Sequence, residues 1–258
     1  PEDCMLLVDT YNALKSGIPN AIKVFNEEIV TRGFRPKGIR IDSGDITYLS
    51  KKARKMLDDA GFSDCKICAS NSLDEYIIRD MIAQGAKVDT FGVGERLITS
   101  YSSPVFGGVY KLCAVEENET IVPKIKVSEN VSKITNPCFK DLFRLYDKTS
   151  NKAMADVITI NGENIDDTKP YEIFDPEYTW KRKTISNFKA VKLRKKIFDK
   201  GKRCYNLPNL KDIKDYCSMQ VDTLWDEIKR FENPHKYYVD LSNELWKIKQ
   251  DMLSKNKF

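Results

Sequence analysis

Four short apolar runs alternate with three amphipathic stretches over the first 95 residues, and this alternation most constrains the fold. Met5 to Val8 is the first run, ending in Asp9-Thr10-Tyr11-Asn12. Pro19 to Thr31 follows, with Ile22, Phe25 and Ile29 at helical spacing, and Gly33 closes it. Gly38 to Asp42 is the second run, and Ile46 to Ala60 the second helix. Its face is Ile46, Leu49, Ala53, Met56 and Leu57, and Gly61 is the stop. Cys65 to Ala69 leads into Ser70-Asn71-Ser72. A third helix, Leu73 to Gln84, turns Leu73, Ile77, Met81 and Ile82 inward and stops at Gly85. Lys87 to Phe91 ends in Gly92-Val93-Gly94-Glu95. Strand, helix, strand at such spacing predicts βα units and a parallel sheet, whose strand ends lie on one side. Those ends carry Asp9, Asp42, Asn71 and Gly92-Val93-Gly94, polar or glycine positions beyond apolar strand bodies. Ligands of α/β proteins bind at such ends.

A closed (β/α)₈ barrel needs about eight strands, and this stretch supplies half of them. Either the sheet is open or further strands precede Pro1. The start, Pro1-Glu2-Asp3-Cys4, has neither an initiator Met nor a signal peptide and enters almost directly on a strand, which favours the second. From Pro104 the texture changes. Val105 to Val115, Ile121 to Val127, Leu142 to Tyr146 and Lys152 to Ile160 read as antiparallel strands separated by polar turns. Residues 161–183 read as a polar, irregular linker, and helices return over Leu210 to Phe231 and Ser242 to Lys255.

The net charge of +5 comes from intermixed acidic and basic residues and does not argue for nucleic acid. The basic stretch Phe188 to Lys202 reads most simply as a solvated face, since no aromatic platform accompanies it. No apolar run is long enough to span a membrane. Seven scattered cysteines suit reduced thiols, hence a cytoplasmic setting. Cys65 and Cys68 lie on opposite strand faces without a second ligand pair, so both read as buried thiols and no metal site is expected.

Several strand-end residues can carry chemistry. Gly92-Val93-Gly94 either lets backbone N–H groups approach a phosphate or forms a tight turn needing positive φ; the spacing fits neither a dinucleotide fingerprint nor a P-loop. Asp42 and Asp45 can bind ribose hydroxyls or magnesium, but Asp45 is placed to cap the following helix. Asp42 has no such local duty. Gly44 permits a backbone that a Cβ forbids. Arg40 either takes a carboxylate in bidentate fashion or pairs internally with Asp42 or Asp9. Asp9 could orient a histidine base. The only histidine, His235, lies in a polar turn, Asn233-Pro234-His235-Lys236, and reads as a surface or interface residue.

Five blocks in order resemble nicotinate phosphoribosyltransferases. They are Leu7-Val8-Asp9-Thr10-Tyr11 with Lys15-Ser16-Gly17, Ile39 to Asp45, Ala69 to Glu75, Phe91-Gly92-Val93-Gly94, and Gly107-Gly108-Val109-Tyr110-Lys111-Leu112. Trp225-Asp226-Glu227 through Tyr238 is similar to that family's C-terminal region, so the resemblance covers nearly the whole chain. It implies an α/β fold: part of an irregular barrel of the type II phosphoribosyltransferase kind, with a β-rich segment and a C-terminal helical region. Residues 1–115 are then half of the barrel, 116–160 the β-rich segment of a second domain, and 161–258 a mostly helical region.

The implied reaction joins nicotinate to the ribose 5-phosphate of phosphoribosyl pyrophosphate, coupled to ATP hydrolysis and using Mg²⁺, in a cytoplasmic homodimer of NAD biosynthesis. By motif, Asp9 would partner a phosphorylated histidine and Arg40 would lie near the pyridine ring and its carboxylate. Asp42 would hold ribose hydroxyls or the pyrophosphate magnesium. Ser70, Asn71 and Gly92 to Gly94 would hold the 5′-phosphate, with Thr10, Ser43 and Gly44 among the substrate-binding residues. The family's histidine lies upstream of the Val8-Asp9-Thr10-Tyr11 block, so residues 1–258 alone are expected to be inactive. A phosphoribosyltransferase for nicotinamide or quinolinate, or a non-catalytic barrel fragment, is the alternative.

Overall fold

The computed structural model describes residues 1–105 and 107–255 and divides the chain into two compact units, Pro1–Gly108 and Val109–Phe258. In the first unit, β1 (Met5–Leu7), β2 (Gly38–Ile41), β3 (Lys66–Ser70) and β4 (Thr90–Gly92) form one parallel sheet in that order. The helical connections are α1 (Ile18–Val24), α2 (Ile46–Asp59) and α3 (Glu75–Ala83), and a short α4 (Glu95–Ile98) follows β4. The predicted alternation is therefore present.

Alternation within the strands explains the layering. Val8, Ile39, Ile41, Ile67 and Ala69 are buried on one sheet face. Ala21, Phe25 and Ile29 from the first helical connection and Ala53 and Leu57 of α2 complete that core. Ala69, Leu73 and Met81 form a smaller cluster under α3. The opposite sheet face carries Met5, Leu7, Arg40, Lys66 and Thr90, all exposed, and the half-buried Cys68.

Some boundaries moved. The first helix begins earlier than Pro19: a wide turn over Ala13–Gly17 runs directly into α1, and another over Phe25–Ile29 extends it. Asn12 caps this start by accepting from the Lys15 backbone N–H at 2.8 Å. Gly17 is required by packing, since a Cβ there would sit 1.7 Å from the Val8 carbonyl oxygen. Ile82, expected inward, is 61% exposed because it falls on the outer side of α3. The fourth strand starts at Thr90, not Lys87.

The second unit opens with a hairpin, β5 (Ala114–Glu117) and β6 (Thr120–Pro123), turning through Asn118 and Glu119, both at positive φ. Residues 107–113, expected as strand, form none, and Phe106 of that expected strand lies outside the described residues. Its main sheet is built on β7 (Lys140–Asp147) and β8 (Ala153–Ile160), antiparallel to one another. The region 161–258, expected to be mostly helical, instead supplies six strands, and its residues 256–258 lie outside the description. The expected linker contains the hairpin β9 (Tyr171–Phe174) and β10 (Arg182–Ile185). The expected solvated stretch contains β11 (Phe188–Lys192), which pairs with β7, and the small pair β12 (Phe198–Asp199) and β13 (Lys202–Arg203). Among the described residues there, only α5 (Leu210–Asp222) and α6 (Asn243–Lys255) are helical, and β14 (Val239–Leu241) joins β8 in parallel, giving the order β11-β7-β8-β14. Phe143, Leu145, Ala155, Val157, Ile173, Ile185 and Phe188 form this unit's main core. The inward positions override the lysines between them, so composition alone misread this region.

Candidate functional site

Residues two apart share a strand face, and the sheet register turns this rule into a site. Leu7, Arg40, Cys68 and Thr90 are successive partners across the four strands. Two residues further along each strand come Asp9, Asp42, Ser70 and Gly92, with Ser70 and Gly92 again in register. The exposed face therefore carries a row with Arg40 near its middle, and beyond it a polar row at the strands' C-terminal ends.

That polar row is hydrogen-bonded. Asp9 Oδ2 accepts from the Asp42 backbone N–H at 2.8 Å and from Ser43 Oγ at 2.6 Å. Ser70 Oγ donates to Asp42 Oδ1 at 2.5 Å. Asp9, Asp42, Ser43 and Ser70, predicted separately, thus meet across three strands. Asp42 keeps an oxygen for which no partner is described, and Arg40 forms no ion pair with Asp9, Asp42 or any other described residue. The internal-pair reading of Arg40 is thereby set aside. Gly44 takes the positive φ that the turn needs, +75°, and Asp45 caps α2 by accepting from the Tyr48 N–H at 2.9 Å. Thr10 is exposed beside this row, without a described hydrogen bond.

Two backbone turns flank the row. After β3 the chain passes through Asn71 and Ser72, both at positive φ (86° and 50°). Left-handed backbone at two consecutive non-glycine residues costs free energy and marks a turn held by its surroundings. After β4 comes Gly92-Val93-Gly94, in which neither glycine has positive φ, so the strained-turn reading of those glycines fails. Close approach accounts for Gly92 instead: a Cβ there would lie 3.3 Å from the Ser70 Cβ. Outside the β3–β4 ladder, no described hydrogen bond engages the backbone N–H groups of Ser72, Val93 and Gly94.

One contact here was missed in the sequence. Asp74 caps α3, accepting from the Ile77 N–H at 2.9 Å, and also binds Arg96 of α4. The Ile77 hydrogen bond, followed by the Arg96 contacts, holds the Asp74 carboxyl below its ordinary range against the cost of burial. Starting the helix at Leu73 hid the cap; an aspartate three residues before Ile77 was the available signal.

The other candidates, Cys65, Cys68 and His235, take no part in the hydrogen bonds of this row. Cys65 is fully buried just before β3, and burial pushes its thiol up to about 11. Cys68 is half-buried, so only one of the pair meets expectation. His235 is exposed in the second unit, its Nδ1 lying 2.9 Å from the Lys236 carbonyl oxygen. Among the described residues no group of three metal-ligating side chains is gathered, and no helix is long and apolar enough to cross a membrane.

Residues 139–249 match the model of the nicotinate phosphoribosyltransferase C-terminal domain. The chain is 44% identical over 256 residues to the nicotinate phosphoribosyltransferase of Bacillus subtilis (strain 168), covering 99% of this chain and 52% of that protein. With the Dictyostelium discoideum nicotinate phosphoribosyltransferase the identity is 34%, over 95% of this chain and 43% of that one. The chain thus spans about half the length of the curated relatives it matches. The crystal structure of human nicotinic acid phosphoribosyltransferase superposes with a TM-score of 0.75 over 98% of this chain and 47% of that one, at 23% identity, which speaks to the mixed α/β fold alone. These relatives align with nearly the whole of this chain and residues 139–249 match their C-terminal domain model, so the chain is similar throughout to nicotinate phosphoribosyltransferases.

Proposed function

We propose that the protein carrying this chain forms nicotinate mononucleotide and pyrophosphate from nicotinate and phosphoribosyl pyrophosphate, with coupled ATP hydrolysis, and that residues 1–108 are one part of an α/β barrel whose interior face is the exposed sheet face. The observation that carries this reading is the juxtaposition of an unpaired Arg40 with the Asp9–Asp42–Ser70 network, between two turns with free backbone N–H groups. A cation facing a ring carboxylate, a carboxylate facing sugar hydroxyls, and N–H groups facing a phosphate suit the three parts of these substrates.

The chemistry follows from those placements. The pyridine nitrogen attacks C1 of the sugar as the C1–O bond to pyrophosphate breaks, and both electrons of that bond leave with the pyrophosphate. Arg40 orients the ring by a bidentate contact to its carboxylate. Asp42 is held by Ser70, so its free oxygen can meet the ribose hydroxyls without reorganising. Mg²⁺ bound to the phosphates would neutralise the leaving group, with the Asp42 carboxylate as a suitable hard oxygen donor. Asp9 fixes the turn after β2 through Ser43, and it is the residue the resemblance pairs with a phosphorylated histidine. A homodimer in the cytoplasm belongs to the same proposal.

The test is product analysis of the whole protein with nicotinate, nicotinamide and quinolinate in turn, each with phosphoribosyl pyrophosphate and ATP. Nicotinate mononucleotide, with ADP released only when nicotinate is present, is the expected result. Turnover of another base in preference, or of none, overturns the proposal.

A further inference from the structure

The two turns that face the proposed phosphate arise from different strands, so their separation must be set by something. At their bases they are in register, Ser70 beside Gly92, and too close there for a Cβ on Gly92 without a shift of its neighbour. At their far ends they meet again, where Asp74 and Arg96 form an ion pair, each side chain mostly covered, at 16% and 30% exposure. Asp74 is anchored on its own side by the Ile77 N–H of a nine-residue helix. Arg96 is anchored on its side by stacking over the Tyr101 ring, 5.0 Å from guanidinium carbon to centroid. Between these two ties lie the Ser72, Val93 and Gly94 N–H groups, outside the strand ladder, and the positive-φ pair Asn71 and Ser72.

We propose that the Asp74–Arg96 ion pair is a positioning brace: it sets the gap between the Asn71–Ser72 and Gly92–Gly94 turns and thereby the affinity of the site for a phosphorylated sugar. Neither residue contacts the reacting atoms in this scheme. The guanidinium fork grips a carboxylate already fixed by a cap, so movement of either turn must break a charge-assisted bond. The brace itself rests on the geometry; its ligand rests on the reading given under Proposed function.

Two measurements separate these. On the chain, ¹⁵N relaxation reports order parameters for Asn71, Ser72, Gly92 and Gly94. Arg96→Ala and Asp74→Asn, the latter retaining a capping side chain, should each lower order in both turns, with Arg96→Lys intermediate. A change confined to the mutated residue's own turn, or none, overturns the brace. In the whole protein, titration with phosphoribosyl pyrophosphate should show Arg96→Ala weakening binding on the order of ten-fold, with nicotinate affinity unchanged and partial rescue by Arg96→Lys. A lowered melting temperature with unchanged sugar-phosphate affinity would mark a purely structural pair and overturn the positioning role. If the unsubstituted protein binds no phosphoribosyl pyrophosphate, the proposed function fails, while the relaxation data still decide the brace.

Discussion

Two carboxylates three residues apart have different duties. Asp42 accepts from Ser70 and faces the open site, whereas Asp45 accepts from the first turn of α2. Asp42→Ala in the whole protein should therefore abolish nucleotide formation with little loss of stability. Asp45→Ala should lower stability by about 1 kcal/mol, the usual effect of a lost cap, and leave turnover nearly intact. Equal losses of turnover from both would show that the duties are shared. Gly17 poses a steric question instead. Its missing Cβ would overlap the Val8 carbonyl oxygen, a backbone atom that cannot swing away. Gly17→Ala should cost about 3 kcal/mol, measured by chemical denaturation, through forced displacement of the helix start from β1.

At the scale of elements, β14 carries an unusual buried acid. Asp240 is 3% exposed, and burial, then the nearby Asp175, pushes its pKa from an ordinary 3.8 to about 6, with Lys236 opposing. The folded value lies above the unfolded one, so the cost of ionisation is absent below about pH 4 and grows as pH rises towards 6. Between pH 4 and 7 the stability of Asp240→Asn relative to the unsubstituted chain should rise by about 2 kcal/mol. A difference that does not vary with pH would show that Asp240 titrates normally. Elsewhere in this unit buried charge is paired. Arg144 grips Asp156 through two hydrogen bonds of 2.8 and 2.9 Å, and Asp141 takes Lys192 and Arg194 from the strand edge. The basic residues of β11 and its neighbours thus serve the sheet, which is why charge composition misrepresented them.

The whole chain consists of two units with separate cores, and described side chains on either side of the boundary at Gly108 are widely exposed, Ile98 at 87% and Tyr110 at 92%. Brief chymotrypsin treatment should cut first at Tyr101 or Tyr110 and release fragments bounded near Gly108, as read by mass spectrometry. First cleavage within β7 or β8 would contradict the division.

The Asp45 helix start, the glycine stops and the alternation of the parallel strands were legible because they depend on neighbours a few residues away, and the strand-end carboxylates followed from them. The family blocks added the chemistry that such ends suggest. The β9–β10 hairpin and β11 were not legible, because their inward residues, Ile173, Ile185 and Phe188, sit among polar and basic ones and are identified only by the partners across the sheet. The left-handed backbone at Asn71 and Ser72 and the tie between Asp74 and Arg96 were hidden for a related reason. By itself the sequence determined which residues could form strands, caps and a charged strand end. Tertiary structure decided which of them meet, since register across parallel strands joins positions some thirty residues apart, as Asp9 with Ser43 and Asp42 with Ser70, that no local spacing encodes.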